Sequence, residues 1–140
     1  MAGFEFRYKL SGGPPTIQSL VTAATSWKKG DTVMLDWQGR AALGVSGSAT
    51  FLGVVQADYS DLTAGTDKVD VIVDPDAVYA VTDANARTIK ATLDVSGATG
   101  AQAVTTSSNK EFVVVATKDA STDKTLVKFN VGKHVHSLAQ

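Results

Sequence analysis

The sequence contains no cysteine, which excludes disulfides, thiolate metal ligands and cysteine nucleophiles. Histidine is scarce: His134 and His136 both lie near the end of the chain, so little is available for acid–base chemistry at neutral pH. The 13 lysines and arginines balance 14 aspartates and glutamates, whereas nucleic-acid binders usually carry a basic patch. No apolar run approaches the roughly 18 residues of a membrane-spanning helix. These absences predict a protein that is not an enzyme, needs no metal or cofactor, and binds neither nucleic acid nor membranes.

β-Branched residues are abundant, since 18 valines, 16 threonines and 3 isoleucines make up more than a quarter of the 140 residues. Such side chains are stiff about χ1 and fit a pleated surface. Apolar segments recur at intervals of roughly ten residues, the spacing typical of a barrel or a sandwich. The sequence therefore predicts an all-β fold. The first residues carry charges and lack the apolar core of a secretion signal, so we expect synthesis in the cytoplasm.

Residues 4–10 alternate between large apolar and charged side chains, the pattern of a strand with one apolar face. The apolar members are Phe4, Phe6, Tyr8 and Leu10. A break follows that can act as a hinge, because proline restricts the backbone and donates no hydrogen bond. It consists of Gly12, Gly13, Pro14 and Pro15. Two interpretations stay open: residues 1–15 are an ordinary first strand, or they are a projecting arm that adds a strand to a partner's sheet.

We expect three segments: the arm and hinge over residues 1–15, a β-barrel domain over 16–132, and a C-terminal tail or second arm over 133–140. Further strands are predicted over residues 32–37, 40–45, 51–57, 68–74, 77–82, 87–95, 111–117 and 125–131. Gly53 lies inside one of these strands and predicts a bulge or a close approach of another backbone. Residues 96–110, rich in glycine, alanine, serine and threonine, are predicted to form a long loop.

Few polar residues are grouped as a site would require. Asp74 and Asp76 favour a turn over a cation site, because two carboxylates fall short of the ligand number that calcium prefers. His134 and His136 lie on one face of a predicted strand, where a solvated tail is favoured over a metal site; they are also possible subunit contacts. Trp37, at a hairpin tip, is interpreted either as a core residue or as a contact with another subunit.

Residues 29–57 resemble the hairpin region of phage head-decoration proteins, the lambda-type capsid-stabilising family. The shared elements are Gly30 and Asp31, an apolar strand that contains Leu35 and Asp36, a short turn, a second strand and the apolar residues 52–55. The resemblance implies a small β-tulip-like barrel with an extended N-terminal arm that orders on the capsid. It also implies homotrimers at local threefold positions of the shell. This chain is longer than the lambda-type protein, with the excess in residues 62–94 and at the C-terminus.

The expected function is therefore that of a structural protein on the outer surface of the virion. It would bind the expanded phage head and stabilise it against internal DNA pressure, its N-terminal arm adding a strand to the major capsid protein. The alternative is a carbohydrate- or receptor-binding β-module of a virion fibre or tail, for which Trp37 and residues 58–61 are the candidates. A tail-tube or connector protein is a closer rival within the virion.

Overall fold

A computed structural model describes residues 3–83, 85, 87–106, 109–119, 124–130 and 132–135, with the backbone alone for residues 117–119. In chain order the strands are β1 (Phe4–Lys9), β2 (Ile17–Val21), β3 (Thr32–Leu35), β4 (Ala41–Leu43), β5 (Phe51–Val55), β6 (Lys68–Ile72), β7 (Ala77–Thr82), β8 (Thr92–Ser96), β9 (Ala103–Thr106), β10 (Phe112–Asp119) and β11 (Lys124–Phe129). Over the described ranges the chain forms no α-helix, and the all-β prediction is confirmed. Within the same ranges, no helix is long and apolar enough to cross a membrane.

The strands form two antiparallel sheets. One has six strands in the order β1-β7-β11-β10-β8-β9, and the other has five in the order β2-β6-β5-β3-β4. The edges of the five-stranded sheet approach each other at a single parallel bridge between Thr22 and Ala41. The described strands thus give a small, barrel-like arrangement of two sheets without a closed barrel.

Two apolar cores follow from the alternation of side chains along the strands. The central core lies between the sheets and contains the aromatic side chains Phe4, Phe51, Tyr79, Phe112 and Phe129. The outer core lies on the other face of the five-stranded sheet and is built around a fully buried tryptophan. That residue, Trp27, donates an indole hydrogen bond of 2.9 Å to the Thr22 hydroxyl. Burial on both faces explains why β5 is apolar throughout.

The structure confirms the prediction for Gly53. A Cβ atom on this residue would lie 1.5 Å from the carbonyl oxygen of Ile72, so no side chain fits there. The register of β3 against β5 also shifts next to this position, between the partners of Val33 and Met34. The absent side chain therefore lets β5 approach β6 closely while both faces of β5 remain packed.

Residues 96–110 contain a strand that the sequence did not predict. β9 pairs with β8 as a hairpin and ends the six-stranded sheet, which corrects the predicted long loop. β8 begins at Thr92, later than the predicted residue 87. The preceding residues turn instead, with Lys90 at a φ of 73°. The residues of β9 have small side chains, so they show no alternation of apolar and polar residues from which a strand could be predicted.

β1 is an edge strand of the six-stranded sheet and pairs with β7. Phe4 is buried, and its ring stacks on that of Phe112 with the centroids 4.9 Å apart. Within the expected arm, residues 1–15, the strand over residues 4–9 is thus integrated in the protein's own sheet, and residues 10–15 connect it to β2. This corrects the projecting arm, and the physical reason is that burial of Phe4 stabilises the strand against its own domain.

The alternation within β1 is interrupted by a bulge between Phe6 and Tyr8. The extra residue reverses the faces of the strand. Lys9 consequently lies 3.5 Å from the Asp74 carboxylate, while Tyr8 and Leu10 are 42% and 55% exposed. The prediction that four large apolar side chains share one face is wrong beyond Phe6.

Candidate interaction surface

Trp37 lies at the tip of the β3–β4 hairpin and is 89% exposed. Val33 and Leu35 of β3 pack in the outer core, but Trp37 follows the end of the strand and points away from that core. Of the two interpretations of Trp37, the structure therefore rejects the core residue. A fully solvated indole on a folded domain is a candidate anchor for a partner, because tryptophan is enriched at binding hot spots.

The turn that carries Trp37 is braced by one carboxylate. Oδ1 of Asp36 accepts hydrogen bonds of 2.9 Å from the backbone N–H groups of Gln38 and Arg40. Oδ2 accepts from Nε of Arg40 at 3.0 Å. The backbone N–H of Arg40, followed by its side chain, holds the pKa of Asp36 below its ordinary value despite partial desolvation. The tip is thus preorganised, which reduces the entropy lost when it binds a partner.

The residues proposed as a hinge connect the two sheets, since they lie between β1 and β2. Gly12 and Gly13 both have positive φ values, 84° and 82°, which glycine adopts without strain. The four members of the segment, Gly12, Gly13, Pro14 and Pro15, are exposed or half-buried.

Both ends of this connection are fastened to the turn between β6 and β7. The backbone N–H of Thr16 donates to Asp74 at 2.6 Å, and that of Ser11 donates to Asp76 at 2.8 Å. Hydrogen bonds from Ser11, first from its side chain and then from its backbone, lower the pKa of Asp76. Asp74 also pairs with Lys9. The two carboxylates therefore hold β1 and β2 together, in agreement with the turn interpretation.

The resemblance residues Gly30 and Asp31 lie at the junction of β1 with the five-stranded sheet. The carbonyl of Gly30, whose φ is 97°, accepts a hydrogen bond of 2.8 Å from the backbone N–H of Phe4. Asp31 is 1% exposed and accepts hydrogen bonds of 2.9 Å from the backbone N–H groups of Lys28 and Gly100. Both residues therefore have structural contacts that fasten β1 and a distant loop beside β3.

A cleft of about 310 Å³ opens beside the edge of β1. One wall is formed by the first residues of β1, the other by Lys29 and Gly30 and by the end of β5 at Val55 and Gln56. Lys124, the first residue of β11, completes the lining. Within this lining the backbone N–H of Phe4 is bonded to the Gly30 carbonyl, and β7 lies between β1 and β11 in the sheet.

The most buried carboxylate cluster is structural. Oε1 of Glu111, which is fully buried, accepts a 2.9 Å hydrogen bond from the backbone N–H of Val95. Its Oε2 accepts from the backbone N–H of Gly47, and the Ser46 hydroxyl lies 3.3 Å from both Glu111 and Asp94. Asp94 also accepts N–H bonds from the segment before β10. These carboxylates satisfy backbone donors and link the β4–β5 turn of the five-stranded sheet to β8 and to the segment before β10 in the six-stranded sheet.

Gln102 also satisfies buried backbone groups, and no feature of the sequence indicated this role. It is fully buried; its Oε1 accepts from both the backbone N–H and the hydroxyl of Thr32 at 2.7 Å. Its Nε2 donates to the Gly44 carbonyl at 2.9 Å. A glutamine in a segment of small residues gives no sequence signal for such a role. Glu111 offered a weak one, as one of two glutamates in the chain.

His134 is fully buried, which corrects the expected solvated tail and rules this residue out as a surface contact. Its ring packs on Phe129 with the centroids 5.4 Å apart, and its backbone forms a bridge with Phe51. The aromatic core therefore extends to the first residues of the predicted C-terminal tail, 133–140. His136 lies outside the described residues. Over the described ranges, no three or more histidine, aspartate or glutamate side chains are grouped to hold a metal ion.

Comparison with known proteins identifies no relative: no family model, no curated protein and no solved structure matches the chain.

Proposed function

We propose that this protein is a structural decoration protein that binds the outside of an expanded phage head and stabilises it, as part of the virion surface. The observation that carries the proposal is the braced, 89% exposed Trp37, which lies at the tip of the hairpin within residues 29–57, where the sequence resembles the decoration family. A large apolar side chain held in solvent supports a role in binding another protein.

Two elements can contact the major capsid protein under this proposal. Trp37 provides an apolar anchor, and β1 provides an open sheet edge to which a capsid strand adds. β1 stays in its own sheet and receives the partner's strand, because Phe4 fastens it to the central core. A decoration protein that binds only the assembled, expanded shell stabilises that state by mass action.

We further propose binding rather than catalysis as the task of this chain. The buried carboxylates Asp94 and Glu111 accept hydrogen bonds from backbone N–H groups of β8 and of the segment before β10. Asp83 accepts two hydrogen bonds, of 2.7 and 3.2 Å, from the Arg87 guanidinium and one from the backbone N–H of Asn85. These contacts give each carboxylate a structural partner, which supports a non-enzymatic protein.

A sedimentation assay with expanded and unexpanded heads of the encoding phage, both stripped of this protein, tests the proposal. We expect the purified protein to sediment with expanded heads only. Trp37→Ala should weaken this binding at least about tenfold, as expected for a hot-spot tryptophan. Ile89→Ala, at another exposed apolar residue (59%), is the matched control and should bind as the unaltered protein does. Equal binding by both variants, or no binding to expanded heads, would contradict the proposal.

The alternative, a carbohydrate-binding module, has one supporting observation. Trp37 neighbours an open hollow lined by Gln38, Gly39, Arg40 and Lys68, and an exposed indole beside polar groups can stack on a sugar ring. Residues 58–61, the other candidate loop, contact the outer core through Tyr59, which bridges to Trp27. Glycan-array binding that is lost on Trp37→Ala would favour this alternative over capsid decoration.

A further inference from the structure

β2 is an edge strand of the five-stranded sheet, and its pairing with β6 fixes which of its backbone groups face outwards. The backbone N–H of Thr22 donates to the Asp67 carbonyl at 2.9 Å, on the side of β6. Residues that bond to the neighbouring strand alternate along an antiparallel ladder with residues that bond on the other side. The backbone N–H and C=O groups of Ile17 and Ser19 therefore point to the open edge of β2.

This edge is unoccupied over most of the strand. No described residue forms a backbone hydrogen bond with Ile17 or Ser19 on the open side. Only beyond the end of β2 is the edge closed, by the bridge between Thr22 and Ala41, where the Ala23 N–H donates to the Ala41 carbonyl at 2.8 Å. The outward groups of Ile17 and Ser19 are therefore available to an added strand.

The other edge strands of the two sheets are shorter or less regular. β1 contains a bulge, and the N–H of its first residue, Phe4, is bonded to Gly30. β4 and β9 have three and four residues, and the Gln102 carbonyl before β9 accepts the N–H of Gly3. β2 has five residues that pair with β6 without a register shift. It also contains neither the proline nor the lysine with which many proteins block an edge.

The hollow beside Trp37 lies along the same edge and has a volume of about 560 Å³. One side is β2 over residues 19–21, and the other is the turn over residues 38–40 that follows the exposed Trp37. The half-buried side chains of Leu20 and Val21 add apolar surface. A segment that pairs with β2 would therefore also reach the surface around Trp37, so the edge and that surface are continuous.

The charged groups around the hollow are balanced. Its lining contains two cations, Arg40 and Lys68; Asp36 contacts the first, and Asp67 and Asp70 flank the second in the chain. Arg40 is paired with Asp36 at 3.0 Å. The other two carboxylates accept hydrogen bonds of 2.7 and 2.5 Å, from a backbone N–H and from the Ser19 hydroxyl. With no large excess of either sign, the hollow favours an uncharged segment, because a charge buried there would lack a partner.

We propose that the open edge of β2 and the hollow beside Trp37 bind an extended, uncharged peptide segment, which adds a strand to the five-stranded sheet. Its backbone would pair with Ile17 and Ser19, and an apolar side chain would pack against Leu20 and the Trp37 indole. The inference rests on the proposed function in that the segment would belong to the capsid protein. It adds to that function a second sheet edge and the chemistry of the segment.

A fluorescent decapeptide of alternating valine and threonine serves as the probe. The control is the same peptide N-methylated at every residue, which has no backbone N–H groups left to pair with a strand. We expect the full-length protein to bind the first peptide and not the second. Replacement of two threonines by glutamate, or by lysine, should weaken binding in both cases, because the hollow compensates neither charge.

Hydrogen exchange of individual amides locates the bound peptide. In the free protein, the amides of Ile17 and Ser19 should exchange rapidly, whereas those of Gln18 and Leu20, which bond to β6, should exchange slowly. Addition of the peptide should slow exchange at Ile17 and Ser19 at least about tenfold, because their N–H groups become bonded in the extended sheet. The amides of Gln18 and Leu20 should change little.

Two substitutions at residue 19 separate the backbone from the side chain. Ser19→Pro removes an outward N–H and leaves the ladder to β6 intact, since an edge strand tolerates proline where the N–H faces solvent. It should weaken binding of the probe about three- to tenfold. Ser19→Ala is the matched control: it loses the same hydroxyl bond to Asp70 but keeps the N–H, and it should bind as the unaltered protein does.

Equal binding of the methylated peptide, protection only at other amides, or equal binding by the two Ser19 variants would overturn the inference. So would tighter binding of either charged peptide. If Ser19→Pro does not fold, the methylated peptide and the exchange pattern still decide the matter. Head sedimentation is a separate readout: if the protein binds expanded heads but not the probe, the proposed function stands and the inference fails. If it binds the probe at β2 but not heads, the reverse holds.

Discussion

The absence of a side chain at residue 53 determines how closely β5 and β6 approach. We expect Gly53→Ala to lower the free energy of unfolding by more than about 4 kcal/mol, because the added methyl group overlaps backbone that cannot move without breaking the ladder. The overlap is with the Ile72 carbonyl oxygen, 1.5 Å from an ideal Cβ. Urea unfolding measures the loss.

Gly39→Ala is the control for that substitution. A Cβ atom on Gly39 meets nothing within 4 Å, but its φ of 76° lies in the left-handed region. The expected loss of about 1–2 kcal/mol therefore comes from backbone strain alone. A Gly53→Ala variant no less stable than Gly39→Ala would show that β5 and β6 separate without penalty.

The carboxylate of Asp36 makes the turn around Trp37 sensitive to acid. Its folded-state pKa is lowered from 3.8, chiefly by the Arg40 backbone N–H. The stabilisation is therefore complete above the unfolded-state pKa and is lost as the pH falls through the lower, folded-state value. We expect the indole N–H resonance of Trp37 to shift with a midpoint below 3.8, and Asp36→Asn to abolish this titration.

The second tryptophan provides an internal control. Trp27 is fully buried and donates its indole hydrogen bond to the Thr22 hydroxyl, a group that does not ionise in acid. Its resonance should stay unchanged until the whole domain unfolds. Simultaneous shifts of both indoles would indicate global unfolding and would contradict a local transition at the hairpin tip.

The first residue of β1, Phe4, is buried, whereas Leu10, which follows the end of the strand, is exposed. Phe4→Ala should lower the free energy of unfolding by about 3–5 kcal/mol, because the ring is buried in the central core. Leu10→Ser, at a 55% exposed position, should change stability by less than about 0.5 kcal/mol. Under the proposed function the second variant should nevertheless bind expanded heads more weakly. Thermal unfolding and head sedimentation measure the two effects separately.

Because β1 belongs to the folded domain, removal of the N-terminal residues should affect stability as well as binding. Removal of residues 1–15 takes Phe4 away from Phe112 and the hydrogen bond from Gly30. We therefore expect the shortened chain to be destabilised as well as unable to bind heads. A stable, truncated domain that still saturates expanded heads would contradict any role for β1 in binding.

Elements with regular alternation were predictable from the sequence, and those with small or irregular side chains were not. β6 was predicted because Val69, Val71 and Val73 share one face, and all three lie in the outer core. β9 was missed because its residues are small. The bulge in β1 depends on pairing with β7, which is a contact distant in sequence. No local pattern reports such a contact.

The candidate surface was predictable in part. Trp37 was singled out from its place at a turn, and its exposure follows from the end of β3. The burial of His134 depends on Phe51 and Phe129, which meet it only in the folded protein. The cleft beside β1 likewise requires Lys29 and Lys124, 95 positions apart in the numbering, to line one cavity. Tertiary contacts of this kind have no signature in a single sequence.

At the scale of the whole molecule, β5 and β6 of the five-stranded sheet contribute side chains to both the central and the outer core, so the two cores are joined in one rigid unit. Under the proposed function, a rigid domain can make the same contact at each symmetry-related position of the shell. A threefold arrangement uses one heterologous contact between neighbouring copies and closes after three. Three linked copies bind more tightly than one, because the first contact raises the effective concentration of the other two.

The resemblance to the decoration family implies homotrimers, so under the proposed function we expect three copies at each local threefold position of saturated heads and none on unexpanded heads. Mass measurement of decorated and bare heads gives the copy number, and image reconstruction gives the symmetry of the bound protein. Trp37→Ala should reduce occupancy, whereas Ile89→Ala should leave three copies per position. Hexameric rings in solution would instead indicate a tail-tube or connector protein. Single copies at unrelated positions would contradict the expected trimer. Each copy would then bind by its own affinity alone, without the avidity that three linked copies provide.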